Sequence, residues 1–176
     1  MDGRQPLAAA PRRSTRPPLY TPAERQRRDG SVWTLVQGVL APVQFVVFLI
    51  SLGLVLRWLA TGHGYELATA SVVVKTLTLY TIMVTGCIWE KVVFDRWLFA
   101  PAFLWEDVFS MLVLALHTAY LVALAAGALD ARALMALALA AYAAYVINAA
   151  QFILKLRAAR LDEAGRCDAT AVGVTA

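Results

Sequence analysis

The residues best suited to chemistry are carboxylates and one histidine, which lie within or beside long apolar runs. Glu90, Glu106 and Asp107 surround a stretch rich in tryptophan, and His117 follows Glu106 by eleven residues. Eleven residues make almost three helical turns, so Glu106 and His117 share a helix face about 16 Å apart, while the adjacent Asp107 points about 100° away. Carboxyl groups and an imidazole in an apolar setting are suited to proton transfer.

Other polar residues in the apolar runs fall into two layers by depth. The outer layer consists of Gln37, Glu90, Glu106, Asp107, Asn148 and Gln151, and the deeper layer of Gln44, Lys75, Tyr80 and His117. A charged residue within a membrane span costs at least about 2.5 kcal/mol, so several in one small protein indicate a function. Lys75 is expected either to extend outward to the membrane surface or to have a partner within the protein. Gln37 and Gln44 either bond a neighbouring helix or line a polar pocket.

The sequence has no motif for binding a metal ion and none for a catalytic serine nucleophile. His63 and His117 lie on different predicted elements, and no HxxxH, CxxC or ExxH spacing occurs. There is no GxSxG motif and no glycine-rich phosphate loop. The sequence therefore predicts no metal site, and Cys87 and Cys167 do not form a disulfide framework.

Four apolar runs must position these residues. The 176 residues are 60% hydrophobic, with a mean hydropathy of +0.63, which is too apolar for a soluble domain. A helix needs about 20 apolar residues to cross a membrane, and runs of that length lie at roughly 34–56, 68–89, 103–126 and 131–154. We predict an all-α integral membrane protein, a bundle of four transmembrane helices within residues 20–161. Residues 1–19 and 162–176 are predicted to be disordered extensions.

The join between the second and third spans is predicted to be a hinge at the membrane interface. Residues 85–107 mix six charged residues with several aromatic ones, among them Trp89, Trp97 and Trp105. Pro101 prevents this stretch from continuing as one helix, so Glu106 and Asp107 belong to the first turns of the third span.

The flanking cations predict the orientation. Thirteen Lys and Arg residues lie in the two termini and the hinge, and two lie in the opposite joins. By the positive-inside rule, both termini and the hinge face the cytoplasm. No folded basic face is visible despite the net charge of +4, so no nucleic-acid partner is expected.

Local patterns predict two further features. A capping box begins a short helix before the first span, formed by Thr21, Pro22 and Glu24. Small residues at every fourth position predict the packing seam of the fourth span, formed by Ala136, Ala140 and Ala144 and continued by Asn148.

Long segments of the chain resemble one family. The resemblance is carried by the runs TPAERQRRD, WTLVQGVLAPVQFVVFLISLGLVLR, YTIMVTGCIWEKVVF, LFAPAFLWEDVFSMLVLALHTAYL and AAYAAYVINAAQFILKLRAARL. These runs are similar to the 3-vinyl (also called 2-vinyl) bacteriochlorophyllide hydratase family of bacteriochlorophyll biosynthesis, over roughly residues 20–161. The resemblance implies that water adds to the C3 vinyl group of a chlorophyllide or bacteriochlorophyllide to give a 1-hydroxyethyl group. It also implies the inner or intracytoplasmic membrane of a phototrophic bacterium.

The chemistry of the implied reaction suggests residue roles. Protonation of the terminal vinyl carbon leaves a cation on the carbon attached to the ring, and water adds there. We expect Glu106 to donate the proton and Asp107 or Glu90 to act as the base. His117 either ligates the substrate's magnesium, shuttles protons, or is a packed, hydrogen-bonded histidine. No cofactor is expected, because the reaction is not a redox step and the magnesium arrives within the substrate.

The same resemblance suggests how the substrate is held. Lys91 or Arg96 is expected to pair with the pigment's propionate at the headgroup level. Other expected substrate-binding residues are Lys75, Tyr80, Trp105, Asn148 and Gln151. Anchoring in the aromatic belt of the membrane explains Trp105 equally well.

Two other function classes are compatible with the sequence. A non-enzymatic tetrapyrrole carrier or assembly factor would need the histidine but not the acids. A proton-coupled transporter would need acids at both membrane faces, whereas here they crowd one. Expected partners are the substrate, membrane lipid, and neighbouring pigment-biosynthesis enzymes or further copies of the chain.

Overall fold

Five α-helices make up the described part of the chain. The computed structural model describes residues 19–174, with side chains given through residue 161 and at residue 164. The helices are α1 (Pro22–Gly30), α2 (Val32–Thr61), α3 (Tyr65–Phe94), α4 (Leu104–Ala126) and α5 (Ala131–Val174). No strand occurs within residues 19–174. The predicted all-α class is therefore confirmed.

Four of these helices are long and apolar enough to cross a membrane. They are α2, α3, α4 and the Ala131–Leu161 part of α5, with 30, 30, 23 and 31 residues, against the roughly 20 that a span requires. The prediction of four such helices is confirmed, although α2 and α3 extend beyond the predicted spans at both ends and α5 continues past residue 154. The outward faces of the four helices carry Leu, Val, Ile and Phe, as contact with lipid requires.

The helix ends follow from local sequence. At the start of α1 the Thr21 N–H donates to Glu24 Oε2 at 2.7 Å, and the Glu24 N–H donates to Thr21 Oγ1 at 3.3 Å, so the predicted capping box is confirmed. The turn between α2 and α3 has Gly62 at φ 73° and Gly64 at φ 87°. Glycine has no Cβ to clash in this left-handed region, which allows α2 and α3 to form a close antiparallel pair.

Residues Tyr20–Phe152 form one compact unit. Its interior lies where α2 to α5 meet, and the Phe48 ring packs there against Tyr142 and Tyr145 with centroid distances of 5.4 and 4.9 Å. From Ile153 onward α5 is part of a second unit. Residues 1–18 of the predicted N-terminal extension lie outside the described residues, and the domain boundaries at 19/20 and 161/162 stay predictions.

The predicted packing seam of α5 is only partly right, since Ala144 is buried and Asn148 contacts α4 but the first two seam residues are not buried. Ala136 and Ala140 are exposed, and the buried face consists of Leu134, Met135, Ala138, Ala141, Tyr142, Ala144 and Tyr145. An alanine-rich helix offers a small-residue stripe on several faces, so alanine spacing alone does not select one. The two tyrosines do, because their large rings fill the space between α5 and its neighbours.

Candidate functional site

The predicted hinge (residues 85–107) consists of the adjoining ends of α3 and α4 and the turn between them (residues 95–103), and this turn has an unusual backbone. Asp95, at the end of α3, and Phe99 have φ values of 60° and 58°, which non-glycine residues adopt infrequently. Lys91 Nζ contacts Asp95 Oδ1 at 2.6 Å, one turn along α3, and this contact holds the pKa of the Asp95 carboxyl below its usual value. Lys91, one of the two residues expected to bind a propionate, is therefore already paired.

Two carboxylates from different helices hold the hinge in place. Glu90 Oε2 on α3 accepts the Ala100 N–H at 3.3 Å, and Asp107 Oδ2 on α4 accepts the Phe99 N–H at 3.0 Å. The two side chains are neighbours and interact directly. Both are buried, with 6% and 4% exposure.

Glu106 completes a group of three buried acids. It lies in the first turn of α4 and is 8% exposed. Glu106 and Asp107 are adjacent and so point in different directions, yet both are buried. Asp107 is covered by the hinge, where it accepts the Phe99 N–H. We call Glu90, Glu106 and Asp107 the hinge carboxylate cluster; Glu90 and Asp107 interact directly, and Glu106 is the buried neighbour of Asp107 in the chain.

A polar seam between α4 and α5 begins one turn from these acids. Asn148 Nδ2 donates to Ser110 Oγ at 2.8 Å, and Ser110 is one turn from Glu106 on α4. The Oδ1 atom of Asn148 and the Oε1 atom of Gln151 are buried and have no protein hydrogen-bond partner. Asn148, which the sequence placed in the same polar layer as Glu106, thus bonds the residue one turn from Glu106.

A second group of buried polar residues, which we call the inner polar cluster, consists of Gln44, Lys75 and His117. Lys75 and His117 are fully buried and Gln44 is 2% exposed. The Lys75 ammonium lies 4.0 Å from the centroid of the Tyr145 ring and has no oxygen partner. The interpretation that Lys75 extends to the membrane surface is wrong, because an aromatic ring on α5 attracts the cation inward.

The imidazole of His117 is fixed in one tautomer. Its Nδ1 is 2.8 Å from the Val113 carbonyl oxygen. A carbonyl oxygen can only accept, so Nδ1 carries the proton and Nε2 has a free lone pair. Nε2 is buried without a protein partner, so it is able to ligate a metal or accept a proton.

The remaining predicted residues are half-buried or exposed. Tyr80 is half-buried and its hydroxyl bonds Thr118 Oγ1 at 2.8 Å, linking α3 to α4. Trp105 is 70% exposed, and Arg96 is also exposed. Gln37 Nε2 donates to Thr85 Oγ1 at 2.8 Å, which confirms for Gln37 the interpretation of a bond to a neighbouring helix.

Sequence reasoning missed a chain of hydroxyl groups that leads to the inner polar cluster. Ser51 Oγ is 2.7 Å from Ser71 Oγ and 2.6 Å from the Tyr142 hydroxyl, and the Tyr142 ring lies 5.9 Å from the His117 ring. Tyr145, which covers Lys75, was also missed. Tyrosines three residues apart in a run of alanines share one face of α5, and this spacing was the available signal.

The arrangement provides acids and a lone pair at two different depths. The hinge carboxylate cluster consists of three buried carboxyl groups, a residue type that can serve as proton donor or acceptor in general acid–base chemistry. His117 lies about 16 Å farther along α4. Among the residues that the structure describes, no group of three or more His, Cys, Asp or Glu could hold a metal ion.

Comparisons with known proteins agree on one family. The family model for 2-vinyl bacteriochlorophyllide hydratase matches residues 20–158. A 2-vinyl bacteriochlorophyllide hydratase from Cereibacter sphaeroides is 66% identical over 154 residues, covering 88% of this chain and 93% of the relative. One from Rhodobacter capsulatus is 61% identical over 163 residues, covering 93% and 95%. No solved structure matches the chain significantly. The chain therefore belongs to the 2-vinyl bacteriochlorophyllide hydratase family.

Proposed function

We infer that this chain is a hydratase of bacteriochlorophyll synthesis that adds water to the vinyl group of a bacteriochlorophyllide. The observation that carries the inference is the family match, with at least 61% identity over most of the chain. The buried acids add chemical support, since hydration of an alkene needs a proton donor and a proton acceptor. The product would carry a 1-hydroxyethyl group.

We propose that the hinge carboxylate cluster performs the proton transfers. Glu106 donates a proton to the terminal vinyl carbon, and the resulting cation on the inner carbon is delocalised into the macrocycle. Asp107 or Glu90 accepts the proton that the attacking water loses. This division is supported by the hinge contacts, because Glu90 and Asp107 already act as hydrogen-bond acceptors toward Ala100 and Phe99.

The inner polar cluster would hold the macrocycle. We propose that His117 Nε2 ligates the substrate's magnesium, since its lone pair has no protein partner. Side chains on a helix tilt toward its N-terminus, so the imidazole leans toward the level of Glu106 and shortens the gap of about 16 Å. Lys75 then lies beside the macrocycle, and Tyr80 and Trp105 flank its outer edge.

The propionate would be bound at the hinge. Arg96 is favoured over Lys91, because Lys91 is paired with Asp95 at 2.6 Å, whereas Arg96 is exposed. The magnesium is part of the substrate, and we propose that the protein uses no nucleotide or redox cofactor.

Incubation with 3-vinyl chlorophyllide in H₂¹⁸O tests the activity. We expect the purified protein to incorporate one labelled oxygen into the 1-hydroxyethyl product without added nucleotide or redox cofactor, detected by mass spectrometry. An absolute requirement for either addition would contradict the mechanism. A non-enzymatic carrier, which the lone pair of His117 would also suit, would bind the pigment and incorporate no label.

We propose that both termini and the hinge face the cytoplasm of a phototrophic bacterium, in its inner or intracytoplasmic membrane. The asymmetry of thirteen against two flanking cations supports this orientation. Reporter fusions after Arg96 and after Arg160 should report a cytoplasmic location, and a fusion in the turn at residues 62–64 should report the opposite side. A cytoplasmic signal from that turn would contradict the topology.

A further inference from the structure

The two amide side chains of the α4–α5 seam lie at the level of the acids. Asn148 bonds Ser110, and farther along α5 the Phe152 ring stacks on Phe103 with a centroid distance of 5.8 Å. These two contacts fix an antiparallel register between α4 and α5. Gln151 lies between Asn148 and Phe152, so it is level with the first turn of α4, where Glu106 and Asp107 are located.

These amides present two buried oxygen atoms that need hydrogen-bond donors. Asn148 Oδ1 and Gln151 Oε1 have no protein partner, and buried polar atoms are nearly always bonded. Three residues apart on one helix, the two side chains lie on neighbouring parts of one face. The donation from Asn148 Nδ2 to Ser110 orients that amide with its oxygen free to accept.

The ligand that fits two neighbouring acceptors is a small molecule with two O–H bonds. A vinyl group has no O–H or N–H to offer, so the reacting part of the pigment cannot satisfy either oxygen. Water has two, and an enclosed water molecule typically makes two to four hydrogen bonds to polar groups. Water is also the second substrate of a hydration.

We propose that Asn148 and Gln151 hold the water molecule that attacks the substrate, and that they are positioning residues for its direction of attack. This proposal rests on the hydratase function proposed above. After the terminal vinyl carbon has gained a proton, the oxygen of the held water forms a bond to the inner carbon. As the bond forms, one O–H of the water turns from its amide oxygen to Asp107 or Glu90, which accepts that proton, so the product gains one H and one OH and carries no added charge.

A fixed water molecule has a stereochemical consequence. The cation at the inner carbon is planar, and attack on its two faces gives products of opposite configuration. Water held on one side by two amide oxygens reaches only one face. The configuration of the 1-hydroxyethyl carbon therefore reports on the water site, whereas overall rate reports on all parts of the protein.

The test uses Asn148→Leu and Gln151→Met in the full-length protein. Each replaces an amide with an apolar side chain of similar size, and Gln151→Met should fold readily because the residue is only half-buried. Chiral chromatography measures the ratio of the two configurations at the 1-hydroxyethyl carbon. A second assay in dilute methanol measures the fraction of methoxyethyl product, which forms when methanol attacks the cation in place of the held water. Gln37→Met is the matched control, since its amide is bonded to Thr85 on α3 at 2.8 Å and does not belong to the α4–α5 seam.

We expect the configuration ratio to fall at least fivefold toward 1:1 and the methoxyethyl fraction to rise several-fold in both seam variants. The control should keep the parent ratio even if its rate falls. Parent-like ratios in active Gln151→Met protein would overturn the proposal. Parent protein that forms no hydrated product would instead contradict the hydratase function itself.

Discussion

The hinge carboxylate cluster and the inner polar cluster differ in how their buried polar groups are compensated by contacts. At the hinge, Glu90 and Asp107 accept backbone N–H groups at 3.3 and 3.0 Å. Deeper inside, Lys75 faces an aromatic ring at 4.0 Å, and His117 leaves Nε2 without a protein partner. The first cluster stabilises the turn that contains it. The inner polar cluster receives few stabilising contacts from its surroundings.

We propose that this difference separates residues that stabilise the fold from residues that bind the substrate. An unpaired buried polar group costs about 1–3 kcal/mol, and the inner polar cluster has at least three such atoms: Gln44 Oε1, Lys75 Nζ and His117 Nε2. Stability alone would favour apolar side chains there. At the hinge, Glu90 and Asp107 combine an observed structural contact with the catalytic role proposed for them.

The largest expected effect comes from Glu106→Gln. Glutamine keeps the shape of the side chain but cannot donate a carboxyl proton, so turnover should fall roughly 10²- to 10⁴-fold while pigment binding persists. Rates with 3-vinyl chlorophyllide and binding by absorbance titration measure the two effects. Glu66→Gln, which changes an exposed carboxylate on α3, should retain the parent rate. If Glu106→Gln stays within about threefold of the parent, the donor is Asp107 or Glu90 instead.

His117→Ala should produce the opposite pattern. Removing a magnesium ligand weakens binding, so KM should rise about tenfold or more while turnover at saturation changes less. The control is His63→Ala, because His63 is the other histidine and is exposed. The pigment's absorption spectrum should also shift in the variant, reflecting loss of axial ligation. Unchanged affinity and spectrum would show that His117 is a structural residue.

The smallest effect concerns stability and uses Lys75→Met. Methionine has a similar length and no charge, so replacing the unpaired ammonium should raise the free energy of unfolding by about 1–3 kcal/mol, despite the lost contact with Tyr145. Unfolding in mixed detergent micelles would measure the gain, with Lys91→Met as a near-neutral surface control. A less stable Lys75→Met protein would show that the aromatic contact outweighs the cost of burial.

The sequence predicted the helices well because length and apolarity decide them. Four runs of about 20 apolar residues correspond to α2 to α5, and the break that was expected from Pro101 lies at residues 95–103. Local rules also sufficed for the capping box at Thr21. Helix ends were less accurate, since α2 and α3 continue for several residues beyond their most apolar stretches.

Contacts between helices were harder to predict. Helix geometry placed Lys75 level with His117, and the two residues do interact. It could not predict whether Lys75 faces lipid or the protein interior, because that depends on how α3 is rotated relative to Tyr145 on α5. The error at Ala136 and Ala140 on α5 has the same cause, since several alanine stripes are equivalent in sequence. The pairing of Glu90 and Asp107 with hinge amides depends on the left-handed backbone at Phe99, which no local motif indicates.

The contact between Lys75 and Tyr145 also bears on the order in which the chain is assembled. The pairs Gln37–Thr85 and Ser51–Ser71 both lie within α2 and α3, so the first two spans can satisfy these polar groups as soon as they meet in the bilayer. Lys75 cannot, because the ring that covers it is synthesised seventy residues later. The nascent protein must therefore keep this charge from lipid until its last span has been inserted.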